Sequence, residues 1–240
     1  GCWKFRNKSF VLLSFLLNKK MAGKNLELAD IFARDYDNSV SKSGWICPKV
    51  LFNLLAGYLL PESHILDLGI GTGESSAPFF SAGHKITGID GSVNMLEECK
   101  KKNIADLLIL HDLEKTPFPN TNNFFDAVIS NGVFHLIYPI SPIFQEVKSV
   151  LKNEGYFAFT FDEATSENET DKIESGIFRK VTDSEVSTFK YSKDYIINHL
   201  KKNGFLVLEE NRFLAFRNME LKTDFYFTAI LAKFSANRQR

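Results

Sequence analysis

The sequence predicts an α/β fold in which helices cover both faces of a mostly parallel sheet. Three observations carry that prediction. Short β-type runs alternate with helical patterns from residue 64 onward, as crossover connections require. Those runs are apolar throughout rather than alternating, as expected of strands buried on both faces. Residues that end the runs are acids and glycines, the residue types that serve a ligand at the carboxyl edge of such a sheet.

In chain order the strands are "HILDL", "KITGID", "DLLIL", "FDAVIS" and "GYFAFTF", followed by "FLVLEENRF" and "DFYFTAILAKF". That makes seven. The last two flank a turn-like "FRNMELKT" and are expected to pair antiparallel at the sheet edge. Helices are expected over Glu74–Ser81, over Ser92–Lys102 with Ser92 as N-cap and Asn103 as stop, over Ile143–Lys152 with Gly155 ending it, and over Tyr191–Lys202. The stretch "EATSENETDKIESG" at 163–176 is polar and acidic, and reads as an inserted loop.

At the front, Lys4, Arg6 and Lys8 precede "FVLLSFLL", which imitates a signal peptide. Asn18-Lys19-Lys20 stands where a small-residue cleavage site belongs, and this eight-residue run falls far short of the ~20 apolar residues that span a bilayer, so a helix is expected here. A second reading starts the domain at Met21. The division expected is an N-terminal extension and helical lid over 1–60 and a core over 61–235, with a variable insert at 163–190, effectively one domain of 240 residues.

Composition narrows the function. There are 29 basic and 29 acidic residues, so no global field holds nucleic acid or an anionic membrane. Cys2, Cys47 and Cys99 form neither a CxxC pair nor a cluster with histidine, which argues for a reducing cytosol and against a metal site.

The strand ends point to a nucleoside. Asp67 ends the first strand and is followed by Gly69, Gly71 and Gly73; Asp90, with Gly91 after it, ends the second; Asp112 ends the third; Ser130-Asn131-Gly132 end the fourth. Glycines admit a ligand close to the backbone, and the Asp90 carboxylate can accept both hydroxyls of a ribose. A dinucleotide would favour a glycine at position 74, where Glu74 stands, and no Lys or Arg lies between Lys49 and Lys85 to meet a phosphate. A phosphate-free adenosine derivative carrying a cationic sulfonium and ammonium, S-adenosylmethionine, suits this acidic rim better.

Residues 64–162, through "ILDLGIGTGESS", "ITGIDGSVNML", "LLILHDLEKTPFP", "FFDAVISNGVFHLI" and "VLKNEGYFAF", resemble the Rossmann-like core of class I S-adenosylmethionine-dependent methyltransferases, in the group acting mainly on small molecules. The resemblance implies that Asp67 and Gly69 flank the methionine part, Asp90 holds the ribose, Met95 packs near the adenine, and Asp112 with Leu113 meets its edge. It also implies that "IFARDYDNSVSKSGWICPKVLFNLL" is a lid whose Tyr36 reaches the cofactor's carboxylate. Trp45, Ser130 and Asn131 complete the expected set, with Asn131, Phe134, Tyr138, Tyr36 and Trp45 shaping the acceptor space.

His135 is the one histidine expected near the transferred methyl group; it is a candidate base, against a plain packing role. Asp126, at a strand start, is expected to be structural. The acceptor is expected to be a small molecule, the product S-adenosylhomocysteine. The rival readings are a tRNA methyltransferase and a non-catalytic cofactor-binding partner. A base-modifying DNA enzyme is disfavoured because "SNGVF" follows the fourth strand in place of an Asn/Asp-Pro-Pro-aromatic stretch.

Overall fold

The computed structural model describes residues 22–119, 124–165, 171–181, 187–218 and 223–236. The helix expected at "FVLLSFLL" lies outside them, as do residues 219–222 of the expected turn.

Two helices open the described chain, α1 (Ala22–Ser43) and α2 (Cys47–Leu55). The sheet follows, with β1 (His64–Leu68), β2 (Lys85–Asp90), β3 (Leu107–Leu110), β4 (Phe125–Ser130) and β5 (Leu151–Phe161). Between these strands run α3 (Ala77–Ser81), α4 (Val93–Lys102) and α5 (Ser141–Val150); α6 (Lys193–Lys202), β9 (Phe205–Asn218) and β10 (Thr223–Phe234) close the chain. Strand order in the seven-stranded sheet is β3-β2-β1-β4-β5-β10-β9. β10 pairs antiparallel with both β5 and β9, so it alone runs against the rest, and β9 at the edge points the same way as β5.

Alternation along β1 shows why its run is apolar without a break. Ile65 packs with Leu51, Leu54, Leu55, Phe79 and Cys99 from α2, α3 and α4. Its neighbours Leu66 and Leu68 pack on the opposite face with Ile143, Phe144, Val147, Ile196 and Leu200 from α5 and α6. Both faces are dry, so neither can be polar.

Boundaries differ from the sequence expectation in three places. The helix expected from Glu74 begins at Ala77, because the glycine loop consumes the preceding residues. "LKNE" does not close a helix: α5 ends at Val150 and Leu151–Glu154 already belong to β5, so Gly155 sits inside a strand, where a Cβ would lie 2.9 Å from the Lys152 carbonyl oxygen. Tyr191 is the last residue of a strand rather than the first of a helix, and Ser192 caps α6 by accepting the Tyr195 N–H. Ser92 caps α4 as expected, through the Met95 N–H at 3.1 Å, and Asn103 ends it in the left-handed region.

The acidic insert is more ordered than a loop. Its described part holds β6 (Lys172–Glu174), and with β7 (Ile177–Val181) and β8 (Ser187–Tyr191) forms a small antiparallel sheet. Ile177 and Tyr191 anchor it in the main core, and the Tyr191 hydroxyl donates to the Ile137 carbonyl. Asp126 holds the far edge, accepting from the His64 N–H at 2.9 Å and pairing with Lys152 at 2.7 Å.

Candidate functional site

A cavity of about 420 Å³ opens at the carboxyl ends of β1, β2 and β4, and its floor is the turn after β1. Gly69 and Gly71 line it, both at positive φ (76° and 55°). A side chain at Gly69 would place its Cβ 2.4 Å from Val133 Cγ2, whereas Gly71 meets nothing nearer than 4.0 Å. The bare backbone therefore serves packing at the first glycine and open space at the second. Gly73 does not reach the cavity: its open side faces Ile104 and Cys99, where a Cβ would come within 2.3 and 2.9 Å. Its role is to let the loop pack on α4, a correction to its expected place among the ligand contacts.

The Asp90 carboxylate has both a structural duty and a face on the cavity. It accepts the Gly71 N–H and the Ser92 N–H, each at 2.8 Å, so it ties the glycine loop to the start of α4. Burial raises its pKa and these N–H donors oppose the rise. Gly91, Met95, Asp112 and Leu113 line the same end; Asp112 also accepts the Glu114 N–H at 3.1 Å. Asp67 lies beneath the loop rather than on the cavity wall, with one oxygen accepting from Ser76 at 2.7 Å and Oδ1 buried without a partner.

Over this floor lies α1. Asp30 accepts from the Ser92 hydroxyl at 2.5 Å and the Asn94 N–H at 3.1 Å, while the Asn94 amide donates to the Asp30 carbonyl at 2.8 Å. Asp37 accepts from Thr72 at 2.5 Å and pairs with Lys102 at 2.5 Å, which in turn reaches Glu74 at 2.6 Å. The helix thus presents Leu26, Ala29 and Tyr36 to the cavity, and Leu26 is so close to Gly91 that a Cβ there would meet it at 2.5 Å. Burial pushes the Tyr36 hydroxyl far up, so it stays protonated. Sequence reasoning missed Leu26 and Ala29; a helix whose one face meets a loop 60 residues away leaves no local signal.

Beyond the glycines the wall changes character. Asn131 lines it, clamped by its amide donating to Ser75 at 2.8 Å and its carbonyl accepting from Thr160 at 2.8 Å. Trp45, His135, Phe216, Phe225 and Phe227 follow, with Trp45 5.5 Å from Phe227 edge-on and His135 5.6 Å from the same ring. Three expected contacts are absent. Ser130 is fully buried and donates to the Leu68 carbonyl at 2.9 Å, tying β4 to β1. Phe134 is a core residue packed on Phe159, and Tyr138 stacks on Phe189 outside the cavity. The strand pleat decides this: successive residues point to opposite sides, so of Ser130 and Asn131 only one can face the ligand.

Two buried groups titrate in opposite senses. Burial lifts the Asp67 carboxyl to about 7, and burial lowers the His135 imidazole to about 4. Asp67 therefore binds a proton more readily folded than unfolded between about pH 4 and 7, which raises stability as pH falls; His135 binds one less readily between about pH 6.5 and 4, which lowers it. The slopes oppose each other. Asp67→Asn should unmask the histidine, with stability falling by up to about 1.4 kcal/mol per unit as pH drops from 6.5 to 4. Thermal melts across that range check it, and a slope equal to that of the wild type would refute the opposition.

Among the described residues no group of three or more His, Cys, Asp or Glu could hold a metal ion, and no helix is long and apolar enough to cross a membrane.

Comparison with known proteins finds partial sequence matches and a shared fold. Residues 66–159 match the family model of a methyltransferase domain. Human methyltransferase-like protein 27 is 32% identical over 113 residues, 45% of this chain, and the match spans 46% of that relative, under half its length. The Burkholderia thailandensis 1,6-didemethyltoxoflavin-N1-methyltransferase, solved with 1,6-didemethyltoxoflavin and S-adenosylhomocysteine bound, shares the fold at a TM-score of 0.65 and 14% identity, covering 90% of this chain and 91% of that one. Magnesium protoporphyrin IX methyltransferase from Synechocystis, with bound S-adenosylhomocysteine, aligns at a TM-score of 0.61 and 19% identity, over 96% of each chain.

Proposed function

We propose that this chain, whose residues 66–159 match the model of a methyltransferase domain and whose sheet has the Rossmann-like order, transfers the methyl group of S-adenosylmethionine to an O, N or C atom of a small-molecule acceptor. The observation that carries the reading is the two-part cavity: a bare glycine and acid floor continuous with an aromatic wall. The residues fit the cofactor. Gly71 leaves open backbone, and the Asp90 carboxylate reaches the same space as a ribose acceptor.

When bound, S-adenosylmethionine supplies a methyl group on a good sulfur leaving group. Asp90 would hold the ribose, Met95 and Leu113 would pack on the adenine, and Tyr36 would donate to the carboxylate. Asn131, fixed by Ser75 and Thr160, orients the acceptor side. His135 takes the proton that the attacking atom loses as it bonds to carbon, and the aromatic wall excludes water. The aromatic lining of Trp45, Phe216, Phe225 and Phe227 supports a small molecule over tRNA, and the cavity's being formed rather than filled supports catalysis over binding alone. Free, buried thiols at Cys47 and Cys99 fit a reducing, cytoplasmic setting.

Isothermal calorimetry tests the reading. S-adenosylhomocysteine should bind at micromolar concentration and NAD should give no heat. Micromolar NAD binding without a response to S-adenosylhomocysteine would overturn it.

A further inference from the structure

The acceptor end of the cavity has a mouth of six charged residues, and their pairing is uneven. Its acids are engaged: Asp224 meets Arg217 through both oxygens at 2.5 and 2.9 Å, Asp162 lies 3.7 Å from Lys190, and Glu163 accepts from the Thr228 hydroxyl. Two cations are not. Among the described residues neither Arg212 nor Lys180 forms an ion pair, although both line the cavity. Arg212 sits 4.6 Å over the Tyr226 ring, which holds its guanidinium plane and leaves the N–H fork free of any carboxylate.

The two cations come from separate sheets. Arg212 stands opposite Thr228 in the β9–β10 ladder, and Lys180 stands opposite Thr188 in the β7–β8 ladder, with Thr188 itself a buried part of the cavity wall. Deeper in, the lining turns to Trp45, Phe216, Phe225 and Phe227, with the His135 Nδ1 buried and without a partner. A ligand matching this gradient has an apolar body, one polar atom for the histidine, and negative charge at its outer end.

We propose that the acceptor is a small molecule bearing a carboxylate on an apolar body, the carboxylate being held at the mouth by Arg212 and Lys180 while the methyl-accepting atom lies inside. The inference rests on the methyltransferase reading for the direction in which the ligand lies. The planar fork of arginine matches a carboxylate in two parallel hydrogen bonds, and a lysine lining the same cavity adds charge.

Matched acid and amide probes test it: indole-3-acetate against indole-3-acetamide, 3-(4-hydroxyphenyl)propanoate against its amide, and decanoate against decanamide, each titrated into protein saturated with S-adenosylhomocysteine. At least one acid should bind roughly 10-fold tighter than its amide, and the preference should shrink as salt rises. It should vanish in the Arg212→Ala, Lys180→Ala double variant, whose titration with S-adenosylhomocysteine controls for folding. Absence of preference for any acid, including absence of binding by all of them, overturns the proposal while leaving the methyltransferase reading in place. An acid preference that survives in the double variant overturns it equally. If the wild type fails to bind S-adenosylhomocysteine at all, both fall together.

Discussion

His135→Asn should lower kcat by about 10²–10⁴ while affinity for S-adenosylhomocysteine is kept, because it removes a general base and leaves the cofactor floor untouched. The ring is buried beside Phe227 on the cavity wall, its Nδ1 has no partner, and burial holds its pKa at about 4. A base must be neutral, so activity should rise through about pH 4 and then run flat across pH 5–8. Asparagine keeps a hydrogen-bonding group of similar size. A loss of less than about fivefold would assign the residue to positioning alone. An inflection near pH 6.5 that disappears in the variant would contradict the shift caused by burial.

Asp90→Ala should raise the Kd of S-adenosylhomocysteine by about 10- to 100-fold, the loss of a charge-assisted hydrogen bond worth ~1.5–3 kcal/mol. The structure adds a second expectation. Because the same carboxylate accepts the Gly71 and Ser92 N–H groups, the variant should also melt at a lower temperature, with two donors left to water. Asp90→Asn separates the effects, since one oxygen still accepts from the loop. Calorimetry on a variant with an unaltered far-ultraviolet circular dichroism spectrum is the check; unchanged affinity would exclude Asp90 from the ribose site.

The order and type of the main strands were readable in the sequence because each is a continuous apolar run ended by an acid or glycine. The residues lining the glycine floor followed from the same strand ends, as Asp90 and Asn131 illustrate. What failed was direction and distance. Nothing local tells Ser130 from Asn131, or Phe134 from His135, since both pairs are neighbours that the backbone turns opposite ways. Gly73 looked like its two predecessors, yet its neighbour in space is Ile104, a residue placed by the end of α4. Phe216, Phe225 and Phe227 stood among 23 phenylalanines with no mark of their own; only the β9–β10 pairing brings them to Trp45. The insert read as a loop because it is rich in acids, of which Asp171 and Glu174 are exposed, while the two residues that anchor it in the core, Ile177 and Tyr191, lie beyond it.

The reversed strand β10 has a consequence for how the molecule comes to exist. Residues 64–161 make all of the contiguous parallel strands, β1 to β5, and with them the glycine floor. The aromatic wall instead waits for the two final strands to return to segments near the front, as when the Tyr58 hydroxyl meets Glu209 across 151 residues. Contacts at such separation are the slowest to close, because the intervening chain must be ordered first. During synthesis the nucleoside half can therefore assemble while the acceptor half is still missing, and the two halves of the chemistry mature in sequence, the methyl donor's seat before the recipient's.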